Sequence, residues 1–204
     1  MFSLQATLFG GGEPVADDSF AGAVRIDLDD TSWVEMVPQW LAGADTLFEQ
    51  IVDAVELRQR TGIPMYESVV DEPRLTAWWH ANSGEPEPLP ILRHLRELMT
   101  ARYHRPFDSV GFNLYRDGND SVAWHGDRHR HHVTDPIVAL VSLGAPRPLK
   151  VRQRGGGPSR SWDLGGGDLF VMGGASQHDW EHCVPKLARS VGPRISVAFR
   201  HDTR

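Results

Sequence analysis

Residues 109–127, SVGFNLYRDGNDSVAWHGD, decide how the fold is read. Two short β-rich runs, SVGFNLY (109–115) and SVAWHG (121–126), flank the turn signal RDGN (116–119). Further runs of the same kind follow: IVALVSL (137–143), PLKVRQR (148–154), SRSWDL (159–164), DLFVMGG (168–174), HDWEHCV (178–184) and RISVAFR (194–200). Clusters of Gly and Pro separate them, GAPRP (144–148), RGGGP (154–158), LGGGD (164–168) and VGPR (191–194). Short strands punctuated in this way predict an all-β sandwich or a double-sheet jelly roll.

Upstream of residue 105 the period changes. Leu41, Ala44, Leu47, Phe48, Ile51 and Val55 keep helical spacing from Pro38 onward, and Thr61–Pro64 supplies a stop. Ile91, Leu92, Leu95, Leu98, Met99 and Tyr103 form a second apolar face. Pro88 and Pro90 sit at its entry, where a missing N–H costs little. Between the helices, MYESVVDEPRLTAWWH (65–80) reads as extended with a break at Pro73, and its paired Trp78 and Trp79 read first as core cover. The opening 35 residues read as irregular structure with one or two short strands. The fold class is therefore α+β, a jelly roll supported by N-terminal helices.

A chain of 204 residues suggests one domain with an ordinary core. The single Cys183 excludes an internal disulfide framework and a Cys-built zinc ribbon. No apolar run approaches the length of a membrane span, and MFSLQATLFGGGEP lacks a signal peptide's basic start and cleavage site. A soluble, cytoplasmic monomer without membrane contact is expected. The net charge of −6 argues against a generic nucleic-acid binder, yet it is unevenly spread: residues 1–75 carry −10 and residues 76–204 carry +4. All ten histidines lie from His80 onward, so an anionic ligand would meet this second part; a solvated acidic face explains the first equally well.

The sharpest local signal is Trp124-His125-Gly126-Asp127. On a strand, residues i and i+2 share a face, so His125 and Asp127 can grip one ion. With one distant His they make a 2-His-1-carboxylate triad, which leaves open positions on a non-haem Fe(II). His178, His182 and His201 are the candidates for the third place; His178 and His182 differ by an even number, and spacing does not choose between them. On the last strand Arg194, Ser196, Ala198 and Arg200 share one face. Arginines aimed into a barrel are costly unless they meet anions, and guanidinium captures carboxylates bidentately. A metal beside such an arginine is what a 2-oxo acid cosubstrate requires. The opposite alternation, with Ile195, Val197 and Phe199 inside, fits the pattern equally well.

PRLTAWW, NLYRDGNDSVAWHGD, PIVALVSLG, DWEHCVPK and PRISVAFR, in this order and spacing, resemble the AlkB family of Fe(II)- and 2-oxoglutarate-dependent dioxygenases from about Met65 to Arg200. The likeness is strongest to the branch that demethylates 1-methyladenine and 3-methylcytosine in DNA and RNA. It implies a double-stranded β-helix core at 105–204, with 1–104 as helical support and nucleotide-recognition region, in one catalytic domain spanning 1–204. It also implies His125, Asp127 and His182 as iron ligands, and places 2-oxoglutarate against Asn113, Tyr115, Arg194, Ser196 and Arg200. The segment from Arg74 through Trp78 and Trp79 would meet a flipped or single-stranded alkylated base. The implied reaction consumes O₂, decarboxylates 2-oxoglutarate to succinate, and releases the methyl carbon as formaldehyde.

Arg147, Lys150, Arg152, Arg154 and Arg160, together with the loop Arg128-His129-Arg130-His131-His132, are candidates to track a nucleic-acid backbone. The loop reads alternatively as a metal-binding histidine tract. Where the resembling branch has acidic residues after the His-x-Asp motif, this chain has Arg128 and His129, which are expected to turn outward to flanking phosphates. Ser196 stands where relatives often have Asn. The other readings are an oxygenase of the same type acting on a protein or small molecule, and a nucleic-acid-binding jelly roll without turnover.

Overall fold

A computed structural model describes residues 10–65, 68–127 and 135–201. The first part of the chain contains β1 (Val15–Ala16), β2 (Val24–Asp27), β3 (Ser32–Val37), β4 (Leu41–Ala42), α1 (Ala44–Ala54), β5 (Ile63–Met65), β6 (Ser68–Val70), β7 (Leu75–His80) and α2 (Pro90–Tyr103). The second contains β8 (Ser109–Tyr115), β9 (Val122–His125), β10 (Val138–Gly144), β11 (Arg147–Gln153), β12 (Ser159–Leu164), β13 (Leu169–Gly174), the one-turn helix α3 (Ser176–Asp179), β14 (Trp180–Val184) and β15 (Arg194–Arg200).

The strands form a seven-stranded sheet, in the order β2-β3-β13-β10-β15-β8-β7, and a four-stranded sheet, in the order β12-β11-β14-β9. All their pairings are antiparallel. One face of the large sheet, with Phe112, Val141, Val197 and Phe199, packs on Leu47, Phe48 and Ile51 of α1 and on Leu92, Leu95 and Met99 of α2. Its other face, with Leu140, Phe170 and Ala198, packs on Leu149, Val151, Leu164 and Val184 of the small sheet. Each fully buried side chain of this kind contributes about 1.5–3 kcal/mol. The jelly roll is thus a sandwich with helices laid over one outer face.

Two expectations change in detail. The first 104 residues are not only helical support, because β2, β3 and β7 extend the large sheet at both edges. Leu41 belongs to β4, which pairs with β1, so α1 starts later than its apolar spacing suggests. The strand β15 lies between β10 and β8, and both of its faces are buried. Ile195, Val197 and Phe199 face the helices, while Arg194, Ser196 and Arg200 face the space between the sheets. A central strand covered on both sides satisfies both alternations at once.

Candidate active site

The neighbouring strands β9 and β14 place His125 directly opposite His182, with ring centres 4.3 Å apart. Asp127 lies just beyond the end of β9, and its Oδ1 is 3.7 Å from His125 Nε2. Ligand atoms of His125, Asp127 and His182 all lie within 4.8 Å of one another. His125 Nδ1 donates to the Ala123 carbonyl at 2.8 Å, which leaves the Nε2 lone pair turned to the cluster. Burial alone would raise the Asp127 carboxyl, but the Arg200 guanidinium and the His182 and His125 rings hold it well below the ordinary carboxylate range. Two imidazoles and one ionised carboxylate suit Fe(II) with positions left open for other ligands. The alternatives fall away on geometry. His178 is exposed on α3, and His201 Nε2 accepts the Ile137 N–H at 2.8 Å.

Between the sheets, β8 and β15 pair Tyr115 with Arg194 and Asn113 with Ser196. Arg194 is 1% exposed; its Nε donates to Ser142 Oγ at 3.1 Å, while Nη1 and Nη2 meet no partner among the described residues. Burial pushes this guanidinium down to about 10. Tyr115 packs between Arg194 and Arg147, whose guanidinium carbons lie 5.4 and 5.5 Å from its ring centre. Burial raises the Tyr115 hydroxyl, against the pull of Arg194, Arg74 and Arg147. A buried guanidinium with two unanswered nitrogens fits a carboxylate, the group a 2-oxo acid would present. Ser142, which steadies Arg194, is a residue that sequence reasoning missed; a lone hydroxyl in the apolar run IVALVSL was the available signal.

Arg200 donates from Nε to Asp127 Oδ2 at 2.9 Å, and its guanidinium lies 4.8 Å from the Trp78 ring centre. Trp78 pairs with Gly111 across β7 and β8, where a Cβ would come within 2.9 Å of the indole. Absence of a side chain at 111 therefore lets the ring lie flat beside Arg200, and Trp78 remains 49% exposed. Trp79 points the other way. It is buried in the helix-facing core, donates from Nε1 to the Glu85 carbonyl and packs under Arg96, so it does not line the site as expected. Arg74 donates from Nε to Asn113 Oδ1 at 3.0 Å, on the strand that pairs with β15.

The expected backbone-tracking residues divide. Arg147 is wholly buried and donates to the carbonyls of Asp117, Asp120 and Pro185, so it is a structural clamp. Arg152 faces away from the inter-sheet space, ion-paired to Glu181 at 2.6 Å and stacked 4.0 Å over Trp124. Arg154 binds the carbonyls of Gln177 and His178, and Arg160 binds that of Asp27. Among the described residues Arg194 keeps two buried nitrogens without a partner, where Arg147 and Arg200 keep one each. Arg128 and His129 lie outside the described residues.

The sequence matches the 2OG-Fe(II) oxygenase superfamily over residues 44–200. Alpha-ketoglutarate-dependent dioxygenase alkB homolog 3 of Homo sapiens is 36% identical over 176 residues, 77% of this chain and 61% of that protein. The chain thus spans about three-fifths of the length of that relative. DNA oxidative demethylase ALKBH2 of Homo sapiens is 26% identical over 179 residues, 78% of this chain and 69% of that protein. A crystal structure of a Pseudomonas putida prolyl-4-hydroxylase shares the fold, with a TM-score of 0.56 and 16% identity over 87% of this chain and 96% of that one. With the jelly roll, the His-Asp-His cluster and a family match spanning most of the sequence, the chain belongs to the 2OG-Fe(II) oxygenase superfamily.

Proposed function

We propose that this chain removes N-methyl groups from nucleic-acid bases by Fe(II)- and 2-oxoglutarate-dependent oxidative demethylation. The observation that carries the reading is Arg194, a buried guanidinium with two nitrogens that meet no partner among the described residues, in the same inter-sheet space as the His-Asp-His cluster. The substrate class is supported by the exposed Trp78 ring against Arg200, the residue that bonds Asp127, and by the names of the relatives, an alkB homolog and a DNA oxidative demethylase.

His125, Asp127 and His182 would hold the metal; Arg194, Asn113, Tyr115 and Ser196 would hold 2-oxoglutarate, and Nη1 of Arg200 is also without a partner among the described residues. Bound together with O₂, the metal and 2-oxoglutarate would supply the oxidation of the methyl carbon: the oxo acid loses CO₂ and takes one oxygen atom to become succinate, and the other oxygen atom ends in a hydroxymethyl group that leaves as formaldehyde. The protein's own part is orientation. Arg194 fixes the far carboxylate of the oxo acid, Ser142 fixes Arg194, and Arg200 fixes Asp127. Trp78 offers one face of its ring to a base, a contact worth about 1–3 kcal/mol. A base within a duplex cannot reach an inter-sheet space, so the target enters single-stranded or flipped.

The test is to incubate Fe(II)-loaded protein with oligonucleotides carrying single methylated bases, and to measure formaldehyde, succinate and product mass. Formaldehyde and a mass loss of one methylene on at least one oligonucleotide are expected. Succinate formation that no oligonucleotide stimulates would overturn the substrate class, and no succinate under any condition would overturn the chemistry.

A further inference from the structure

Asp127 lies just beyond the end of β9, outside the ladder that fixes His125 and His182. Its main-chain N–H has another partner: Gln177 Oε1, at 3.1 Å. We infer that Gln177 is a positioning residue for the Asp127 carboxylate, acting through the Asp127 main chain; this rests on the reading that His125, Asp127 and His182 hold the metal.

Gln177 belongs to the one-turn helix α3 and is 2% exposed. Its Nε2 has no partner among the described residues. A buried donor left unanswered costs about 1–3 kcal/mol, and an apolar side chain of the same length would avoid that cost. The carboxamide is therefore held in place for what its oxygen does.

The surrounding turn is built to present that oxygen. Arg154 ties down α3, with its main-chain N–H on Asp179 O at 2.8 Å, Nε on His178 O at 2.7 Å and Nη2 on Gln177 O at 3.2 Å. Ala175 N–H bonds Thr31 O at 3.0 Å and anchors the other end. The middle residue of the His-x-Asp motif completes the fit. A Cβ at Gly126 would lie 2.5 Å from Arg154 Nη2 and 2.8 Å from Gln177 O, so only glycine lets α3 approach this closely. Fixing the 126–127 peptide plane fixes the direction of the Asp127 side chain, and a metal site needs its ligands within about 0.5 Å of the productive geometry.

The probe is Co(II), titrated into metal-free protein and followed by its visible absorption, with hydrogen exchange of the Asp127 amide measured separately without metal. Gln177→Met removes the acceptor at similar volume; it is expected to weaken Co(II) binding about tenfold or more and to speed exchange at the Asp127 amide. Gln177→Glu retains an acceptor and should recover most of both. Ser176→Ala, a buried neighbour on the same turn with no bond to Asp127, should change neither. Wild-type binding with unchanged affinity in Gln177→Met would overturn this inference alone. So would Ser176→Ala weakening binding as much as Gln177→Met, because the effect would then belong to the turn in general. Wild-type protein that binds no Co(II) would overturn the metal reading, and this inference with it.

Discussion

Arg200 and Asp127 meet across the inter-sheet space, Nε to Oδ2 at 2.9 Å, and both side chains are less than a tenth exposed. The same guanidinium lies against Trp78, so the carboxylate proposed to hold the metal and the exposed indole converge on one residue of β15. Removing one partner of a buried ion pair strands the other charge. Arg200→Met is expected to destabilise the metal-free protein by about 3 kcal/mol, measured by urea unfolding. Co(II) should reduce that loss, because the ion faces the same carboxylate. A loss below about 1 kcal/mol in metal-free protein would mean the pair behaves as a solvated one.

The histidines separate cleanly. Asp127→Ala and His182→Ala are expected to abolish Co(II) binding, and His178→Ala to leave it unchanged. If His178→Ala and His182→Ala exchanged severity, α3 and β14 would have to repack to bring an exposed side chain inward.

Much of this site was legible because its residues sit in short motifs. His125 and Asp127 are two apart, and Arg194, Ser196 and Arg200 share a strand face. The choice of His182 was not legible without the resemblance, because HDWEHCV read as one strand. Its first two residues close a one-turn helix, too short to show a period in sequence. The orientation of β15 was undecidable from alternation, since both faces are covered and the polar one, with Arg194, Ser196 and Arg200, turns to the inter-sheet space instead of to solvent. The basic residues misled for a different reason. Charge is written in the sequence but its partner is not, and Arg147 and Arg152 find theirs across long separations, at Pro185 and Glu181. The large sheet's outer strands β2 and β3 were likewise hidden, since their place depends on β13 far along the chain.

Arg194→Met is a test in which binding and stability part company. Each lost charge-assisted hydrogen bond is worth roughly 1.5–3 kcal/mol, so 2-oxoglutarate affinity should fall at least tenfold to hundredfold. The ligand-free protein should be no less stable than wild type, because an apolar side chain replaces a buried guanidinium whose Nη1 and Nη2 meet no partner among the described residues. Thermal unfolding with and without 2-oxoglutarate reads both. A destabilised variant that still shows the wild-type ligand-induced shift would place the carboxylate elsewhere.

The adjacent tryptophans should respond oppositely. Trp79→Ala empties part of the helix-facing core and is expected to cost about 3–5 kcal/mol of stability. Trp78→Ala removes a half-exposed ring and should leave stability nearly unchanged while weakening methylated-oligonucleotide binding by about 1–3 kcal/mol. Unfolding curves and fluorescence-anisotropy titrations distinguish the two. Equal oligonucleotide affinity in Trp78→Ala and wild type would remove the indole from the substrate path.

Acid stability has a nameable contributor near the start of β14. Asp29 Oδ2 accepts the Trp180 Nε1–H at 2.6 Å, and Oδ1 accepts from Thr31 and Ser32, closing the turn between β2 and β3. Burial works against ionisation, but the bonds from Trp180, Thr31 and Ser32 outweigh it and lower the carboxyl from 3.8 to about 2. A depressed folded-state value stabilises the protein wherever the unfolded carboxyl is ionised. The contribution is complete above about pH 4 to 5, falls away as pH drops towards 2, and is gone below both values. Asp29→Asn lacks the titrating group, so wild type should be the more stable above pH 5 and the gap should narrow steadily towards pH 2. Because Trp180 begins the strand that carries His182, the same bond anchors one wall of the proposed metal site. Thermal unfolding of both proteins across pH 2–6 measures the gap, and a gap constant over that range would show that the bond does not depend on the charge of Asp29.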